Sequence, residues 1–221
     1  MHTLPKPLFK TFFAHAYPLR ARVIAVSACV ALLLSAAAGA RSQDAAALKP
    51  PPGARVAIVE FDDLQCPSCA HANPILKAAA AQYHIAWIRH DFLIPYHNWS
   101  KTAAVNARWF DTKSKALGDE YRNEVFANQT SIETPVQLNQ FTQRFAQSHG
   151  VAWPLMGVDP QGKLLDEVSA DNELGKRIGI TQTPTIFIVT AGAKGSSSTQ
   201  VKDPDRDLYT TIDKAIAATR H

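Results

Sequence analysis

A β-branched run that ends in two acids and is followed by a closely spaced cysteine pair leaves few folds open to this chain. Residues 55–61 (RVAIVEF) are rich in Val and Ile and lie between Pro52-Gly53 and Asp62-Asp63, the marks of a short buried strand. The tetrapeptide Cys66-Pro67-Ser68-Cys69 follows almost at once. A helix is predicted to open there, because Pro is favoured at the first helical position, and to run through Ile75 and Leu76 to about Gln82 with a kink at Pro74. Residues 85–92 (IAWIRHDF) read as a second strand. Strand, helix and strand so close together make a βαβ unit, which implies a parallel pair joined by a crossover helix.

From Trp99 to Gly179 the apolar residues fall at helical spacing, as in Ala103/Ala107/Phe110, Tyr121/Val125/Phe126 and Leu138/Phe141/Phe145, and no strand is predicted. Strand character returns at residues 185–189 (TIFIV), directly after Pro184. Residues 191–200 (AGAKGSSSTQ) read as a loop, followed by a short strand at 200–202. Residues 203–207 open a last helix over 208–219. The predicted fold class is therefore α/β, with a βαβ half and a ββα half separated by about 80 helical residues.

Composition places the chain among ordinary globular proteins, with 46% hydrophobic residues in 221. A net charge of +4 would suggest an acidic partner such as nucleic acid. The excess, however, lies at one end. Residues 1–40 hold Lys6, Lys10, Arg20 and Arg22 and no acid, so the remainder carries 19 basic against 19 acidic residues and is formally neutral. That distribution argues against a phosphate-binding surface and for a targeting segment. Residues 23–38 (VIAVSACVALLLSAAA) form an uncharged apolar run shorter than the roughly 20 residues that span a bilayer core. Ala38-Gly39-Ala40 then offers a cleavage site. Residues 1–40 read as a signal peptide cut after Ala40, or as an uncleaved signal anchor, and either one exports the body to the periplasm or another extracytoplasmic space. Cys29 lies inside the apolar run as a bystander. Residues 41–54, with Pro50-Pro51-Pro52-Gly53, are too poor in apolar content to pack and read as a stiff leader or linker. The body, 55–221, is then one domain.

Once the signal is gone, Cys66 and Cys69 are the exported cysteines, and an exported pair oxidises. A structural disulfide closing so short a loop would constrain the unfolded chain by only about 2 kcal/mol in the loop-entropy model. The position suits redox exchange better. A cysteine at a helix amino terminus meets unpaired N–H groups and the positive end of the macrodipole, both of which favour the thiolate. Cys69, one turn into the helix, would be the more buried, resolving thiol. A zinc site stays open as a third reading, with His71 and His97 as the further ligands.

The runs 56–69 (VAIVEFDDLQCPSC) and 170–189 (ADNELGKRIGITQTPTIFIV) resemble the thioredoxin superfamily, and within it the DsbA-like exported thiol-disulfide oxidoreductases. The resemblance extends from about Val56 to Thr219 and implies a thioredoxin fold with a helical insertion at about 97–179. It implies that Cys66 is the nucleophile, that Cys69 is its partner, and that Pro184 is a cis-proline packed on the redox pair with the backbone of Thr183 turned towards substrate. Pro67 and Ser68 would touch substrate beside them. Glu60, six residues before Cys66, matches an acid buried beneath the active site to relay protons; read from its residues alone it is equally a strand-end carboxylate. The strongest oxidants of the branch carry a histidine where this chain has Ser68, which implies a less oxidising pair. Asp62 and Asp63, if close to Cys66, would raise its pKa. His71 reads as a surface residue, and Trp99 and Trp153 as core or lid residues of the insertion.

The implied function is donation of disulfides to exported, thiol-containing or unfolded proteins, with a membrane quinone-linked thiol oxidase restoring the pair. No dissociable cofactor, metal or nucleic acid is required. The alternatives are a reductase or isomerase kept reduced by a membrane donor, and a non-catalytic metal-binding or chaperone module.

Overall fold

The computed structural model describes residues 48–192 and 195–220. The signal segment, its cleavage site, Cys29 and the first residues of the leader lie outside the described residues. Among the described residues no helix is long and apolar enough to cross a membrane.

Four strands form one sheet in the order β2-β1-β3-β4, with β1 at Val56–Asp62, β2 at Ala86–Asp91, β3 at Thr185–Gly192 and β4 at Gly195–Val201. The predicted βαβ unit is present. β1 runs parallel to β2, with Glu60 opposite Arg89, and helix α1 (Pro67–Tyr83) connects them. β1 is antiparallel to β3, and the register that sets Phe61 against Thr185 brings Thr183-Pro184 to the end of β1 where α1 begins. This pairing, set by two apolar strands far apart in sequence, assembles the site.

All seven residues of β1 are buried, as a central strand covered on both faces requires. On one face Val56 and Ile58 pack with Leu76 of α1, with Ile186 and Ile188 of β3, and with Leu208 and Ile212 of helix α6 (Pro204–Ala218). On the other, Ala57, Val59 and Phe61 pack with Phe92, Ile180 and Val189. Helix α5 (Lys163–Arg177) lies over this second face. Gly175 permits the approach, since a Cβ there would stand 2.5 Å from Phe92 Cδ2. His90 Nδ1 meets Asp171 Oδ1 at 2.7 Å, and Arg108 Nε donates to Asp91 Oδ2 at 2.8 Å, tying α5 and helix α2 (Ser100–Asp111) to β2.

A third core joins the helical region to the cysteine pair. Leu64, Cys66 and Cys69 pack with Trp99, the N-cap of α2, with Ala103 and Phe110 of α2, with Tyr121 of α3 (Lys115–Ala127) and with Phe145 of α4 (Pro135–Ser148). Trp99 is a core residue at 1% exposure, and Trp153 packs edge-on against Trp109.

Three sequence expectations are corrected. Residues 191–200 are not a loop: β3 continues to Gly192 and β4 begins at Gly195, pairing Thr190 with Ser197 and Phe187 with Gln200. An edge strand needs only its backbone to pair, so its exposed Ser and Thr side chains carry no apolar alternation. The last helix begins one turn earlier than predicted, because Asp203 caps it by accepting from the N–H groups of Asp205 and Arg206 ahead of Pro204. The end of the leader packs: Leu48 is 4% exposed and belongs to the core that holds Val59 and Phe61.

Candidate active site

Cys66 is the N-cap of α1, in extended backbone conformation, with Pro67 as the first helical residue. Its N–H donates to Asp63 O at 2.9 Å, and its own carbonyl accepts from the N–H groups of Cys69 and Ala70, both at 3.1 Å. The loop that delivers it is braced from several sides. The Asp63 carboxylate accepts from the N–H groups of Gln65 and Ile94, each at 2.8 Å, and pairs with His97 Nδ1 at 2.9 Å. Gln65 Oε1 accepts from the Trp99 N–H at 2.8 Å, while Gln129 Nε2 donates to the carbonyls of Leu64 and Cys66 at 3.0 and 3.2 Å. Asp63 thus serves as a structural acceptor. Gln129, in the 3₁₀ turn Gln129–Ser131, was not expected from sequence, since no local pattern marks a residue that reaches 63 positions back.

Cys66 and Cys69 are both free thiols, but their surroundings differ sharply. Cys66 Sγ lies 3.4 Å from the carbonyl oxygen of Thr183. Hydrogen bonding from the Cys69 thiol foremost, then from Thr183 and from the N–H groups of Cys69 and Ser68, outweighs burial and pulls the Cys66 thiol down to about 5. The Thr183 hydroxyl is buried and makes no hydrogen bond among the described residues, which leaves it available to the thiolate. Cys69 is fully buried, and burial, aided by Cys66, Asp62 and Glu60, pushes its thiol well above its ordinary value. One sulfur is therefore an anion at neutral pH and the other a thiol.

The Thr183-Pro184 bond is cis, as the resemblance implied. Pro67 and Ser68 are exposed at the rim of a groove of about 350 Å³, lined also by Cys66, Ile94, Tyr96, His97 and Thr183. Tyr96 is 82% exposed there. His71 is an exposed helix residue whose Nε2 lies 2.9 Å from Asp205 Oδ2. With His97 turned to Asp63, the described residues contain no group of three or more His, Cys, Asp or Glu placed to hold a metal ion.

Glu60 is not a partly exposed strand-end acid: it is 1% exposed, on the face of β1 that α1 covers. Its Oε2 accepts from Trp87 Nε1 at 3.0 Å. Burial first, then the charge of Asp62, pushes its carboxyl up to about 8 against the opposing pull of Arg89 and the Trp87 hydrogen bond. Asp62 is equally buried, and burial likewise holds its carboxyl up, to about 7. It bears on Cys69, whereas the sequence reading set it against Cys66. Arg89 closes the cluster, with its guanidinium 3.7 Å from the centre of the Trp87 ring and Nη2 donating to Asn73 and Asn123.

The thioredoxin family profile matches residues 51–201, more than half of the chain. No curated protein matches it in sequence. Solved structures share its fold. A double cysteine-to-alanine variant of Wolbachia pipientis α-DsbA1 is 19% identical with a TM-score of 0.62, covering 79% of this chain and 98% of that one. Bacillus subtilis BdbD in its oxidised form is 18% identical with a TM-score of 0.58, covering 77% and 90%. Proteus mirabilis ScsC is 17% identical with a TM-score of 0.60, covering 91% and 93%.

Proposed function

The chain belongs to the thioredoxin family, and we propose that it is an exported thiol-disulfide oxidoreductase that donates disulfides to substrate proteins through Cys66 and Cys69. The observation that carries this reading is the asymmetry of the pair: an anion-stabilised Cys66 at the groove, and a buried Cys69 held as the thiol. A substrate thiolate attacks Sγ of Cys66, the Cys66–Cys69 bond breaks, and Cys69 leaves and is protonated. A second substrate thiolate then attacks the substrate sulfur of the mixed disulfide and expels Cys66 as a thiolate. Substrate loses two electrons and the protein gains them. Stabilising the Cys66 thiolate stabilises the dithiol form, which makes the disulfide the stronger oxidant.

Glu60 supplies the proton that Cys69 takes up. Thr183, Pro67 and Ser68 meet the substrate at the groove, and Pro184 packs beside the sulfurs. The segment 1–40 exports the body to the periplasm, where thiol-containing or unfolded proteins are the substrates and a membrane quinone-linked thiol oxidase resets the pair; no dissociable cofactor takes part. Ser68, a hydroxyl where a cation would stabilise the thiolate further, favours a second reading as a reductase fed by a membrane donor.

The test is a trap. With Cys69→Ser carrying Cys66 beforehand as a mixed disulfide with 2-nitro-5-thiobenzoate, a thiolate of a reduced, unfolded secretory protein attacks Sγ of Cys66, expels the thiobenzoate and leaves a covalent adduct that dithiothreitol releases. With Cys66→Ser no adduct forms. Equal trapping by both variants, or by neither, would refute the proposal.

A further inference from the structure

Two buried carboxylates lie beneath Cys69. Side chains alternate along β1, so Glu60 and Asp62 fall on the face that carries Val56 and Ile58, which α1 covers. Each is 1% exposed. Asp62 Oδ2 and Glu60 Oε1 take no hydrogen bond from the described residues, and Arg89 Nε and Nη1 make none, so buried polar atoms of three side chains are left unmet in one place. Such atoms are costly to bury, and their clustering beside a redox thiol calls for a role. Packing does not provide one for Asp62, since Arg89 is held through Nη2 by Asn73 and Asn123.

The charged groups around Asp62 come from several elements. Arg89 on β2 and Arg122 on α3 favour its carboxylate, while burial, Asp91 on β2 and Asp63 in the adjoining loop oppose it, with burial the largest. Asp62 is also the foremost charge acting on Glu60. On Cys69 it weighs more heavily than Glu60 does.

We infer that Asp62 is a second proton-holding residue of the thiol-disulfide step, sharing with Glu60 the proton that Cys69 gains when the disulfide opens. The inference rests on the exchange chemistry proposed above. As a thiolate attacks Cys66, the electron pair of the S–S bond leaves on Cys69 Sγ, and a proton passes to it from the acid pair. The carboxylate that remains regains its proton from solvent. In the reverse direction the pair accepts the Cys69 proton as that sulfur attacks a mixed disulfide. Two acids crowded into one buried site do not both ionise at neutral pH, so one proton stays in place to be given.

The experiment is stopped-flow reduction of the oxidised protein by glutathione from pH 5 to 9, followed by tryptophan fluorescence, with rates expressed per glutathione thiolate. The wild type is expected to slow as pH rises through the range where the pair loses its proton. Glu60→Gln should retain a slowing that Asp62 alone provides, Asp62→Asn should move the midpoint, and the double variant should be flat and on the order of 100-fold slower at pH 7. An Asp62→Asn profile that superimposes on the wild type, or a Glu60→Gln profile already as flat as the double variant, would overturn the inference. A wild-type disulfide that thiols do not open would instead sink the proposed function. Should Asp62→Asn not fold, ¹³C titration of the wild-type carboxyls decides: Asp62 is expected to titrate above pH 6 and to move on reduction, and titration near pH 4 with the surface aspartates overturns the assignment.

Discussion

Replacing Thr183 by Val keeps the shape of the side chain and the carbonyl that faces Cys66, and removes the hydroxyl that is free to serve the thiolate. Thr183 is the second side chain, after Cys69, that holds the Cys66 thiol down at about 5. A hydrogen bond to a charged group is worth about 1.5–3 kcal/mol, and each pKa unit is about 1.4 kcal/mol, so the loss should raise the Cys66 pKa by about one unit. At pH 7 the sulfur would still be mostly ionised, and alkylation rates should change little. The reduced form, however, loses about a factor of ten in relative stability, which lowers the reduction potential by about 30 mV for a two-electron couple. The two quantities are linked and are measured independently: the pKa by thiolate absorbance near 240 nm against pH, the potential by equilibration in glutathione buffers. An unchanged pKa would refute the assignment of the hydroxyl as a donor. A raised pKa without a matching fall in potential would refute the claim that thiolate stabilisation sets the redox poise.

The buried acids make stability depend on pH. The ordinary values of Glu60 and Asp62, 4.5 and 3.8, are raised in the fold to about 8 and about 7, so their contribution is complete below about pH 4 and is lost as pH rises through 7 to 8. Cys66 runs the other way in the dithiol form: its ordinary value of 9.0 falls to about 5, so its contribution is present above pH 9 and lost as pH falls through 5, amounting to about 3 kcal/mol at pH 7. Urea midpoints of the oxidised protein should therefore fall steadily from pH 4 to 8 and those of the reduced protein fall less; a rise in the oxidised protein would contradict the acid assignment. Gly175→Ala forces a Cβ to within 2.5 Å of Phe92 and should cost about 1–3 kcal/mol of overpacking by chemical denaturation, whereas a neutral result would mean α5 can withdraw from the sheet freely. Leu48→Ala should cost about 2–5 kcal/mol because the side chain is buried against Val59 and Phe61, and an effect below about 0.5 kcal/mol would show that the segment before β1 is only a tether.

The parts of the site that could be read from sequence are those set by local chemistry. Pro67 after Cys66 marked the helix start, Val and Ile in β1 and β3 marked the central strands, and Thr183-Pro184 marked the point where the chain returns to the cysteines. Less legible was whatever depends on pairing without side-chain burial, as with β4, whose Gly, Ser and Thr residues hydrogen-bond through the backbone at a sheet edge. The surroundings of the acids were hidden for a different reason: Trp87 donates to Glu60 from β2, Asn73 of α1 holds Arg89 rather than an acid, and only the register of the finished sheet sets Arg89 opposite Glu60. The strand itself, however, carries a signal for their burial. With Val56 and Ile58 on the face that α1 covers, the period of two carries Glu60 and Asp62 onto the same face, so the burial of both follows from the strand assignment alone.

The most direct test of the account is the reduction potential of the Cys66/Cys69 pair at pH 7, measured on the protein from about residue 41 onward by equilibration in glutathione buffers. A disulfide donor with Cys66 ionised and Cys69 buried should fall well above the roughly −270 mV of thioredoxin, towards the roughly −120 mV of DsbA. A value at or below that of thioredoxin would contradict disulfide donation and leave the reductase reading in its place.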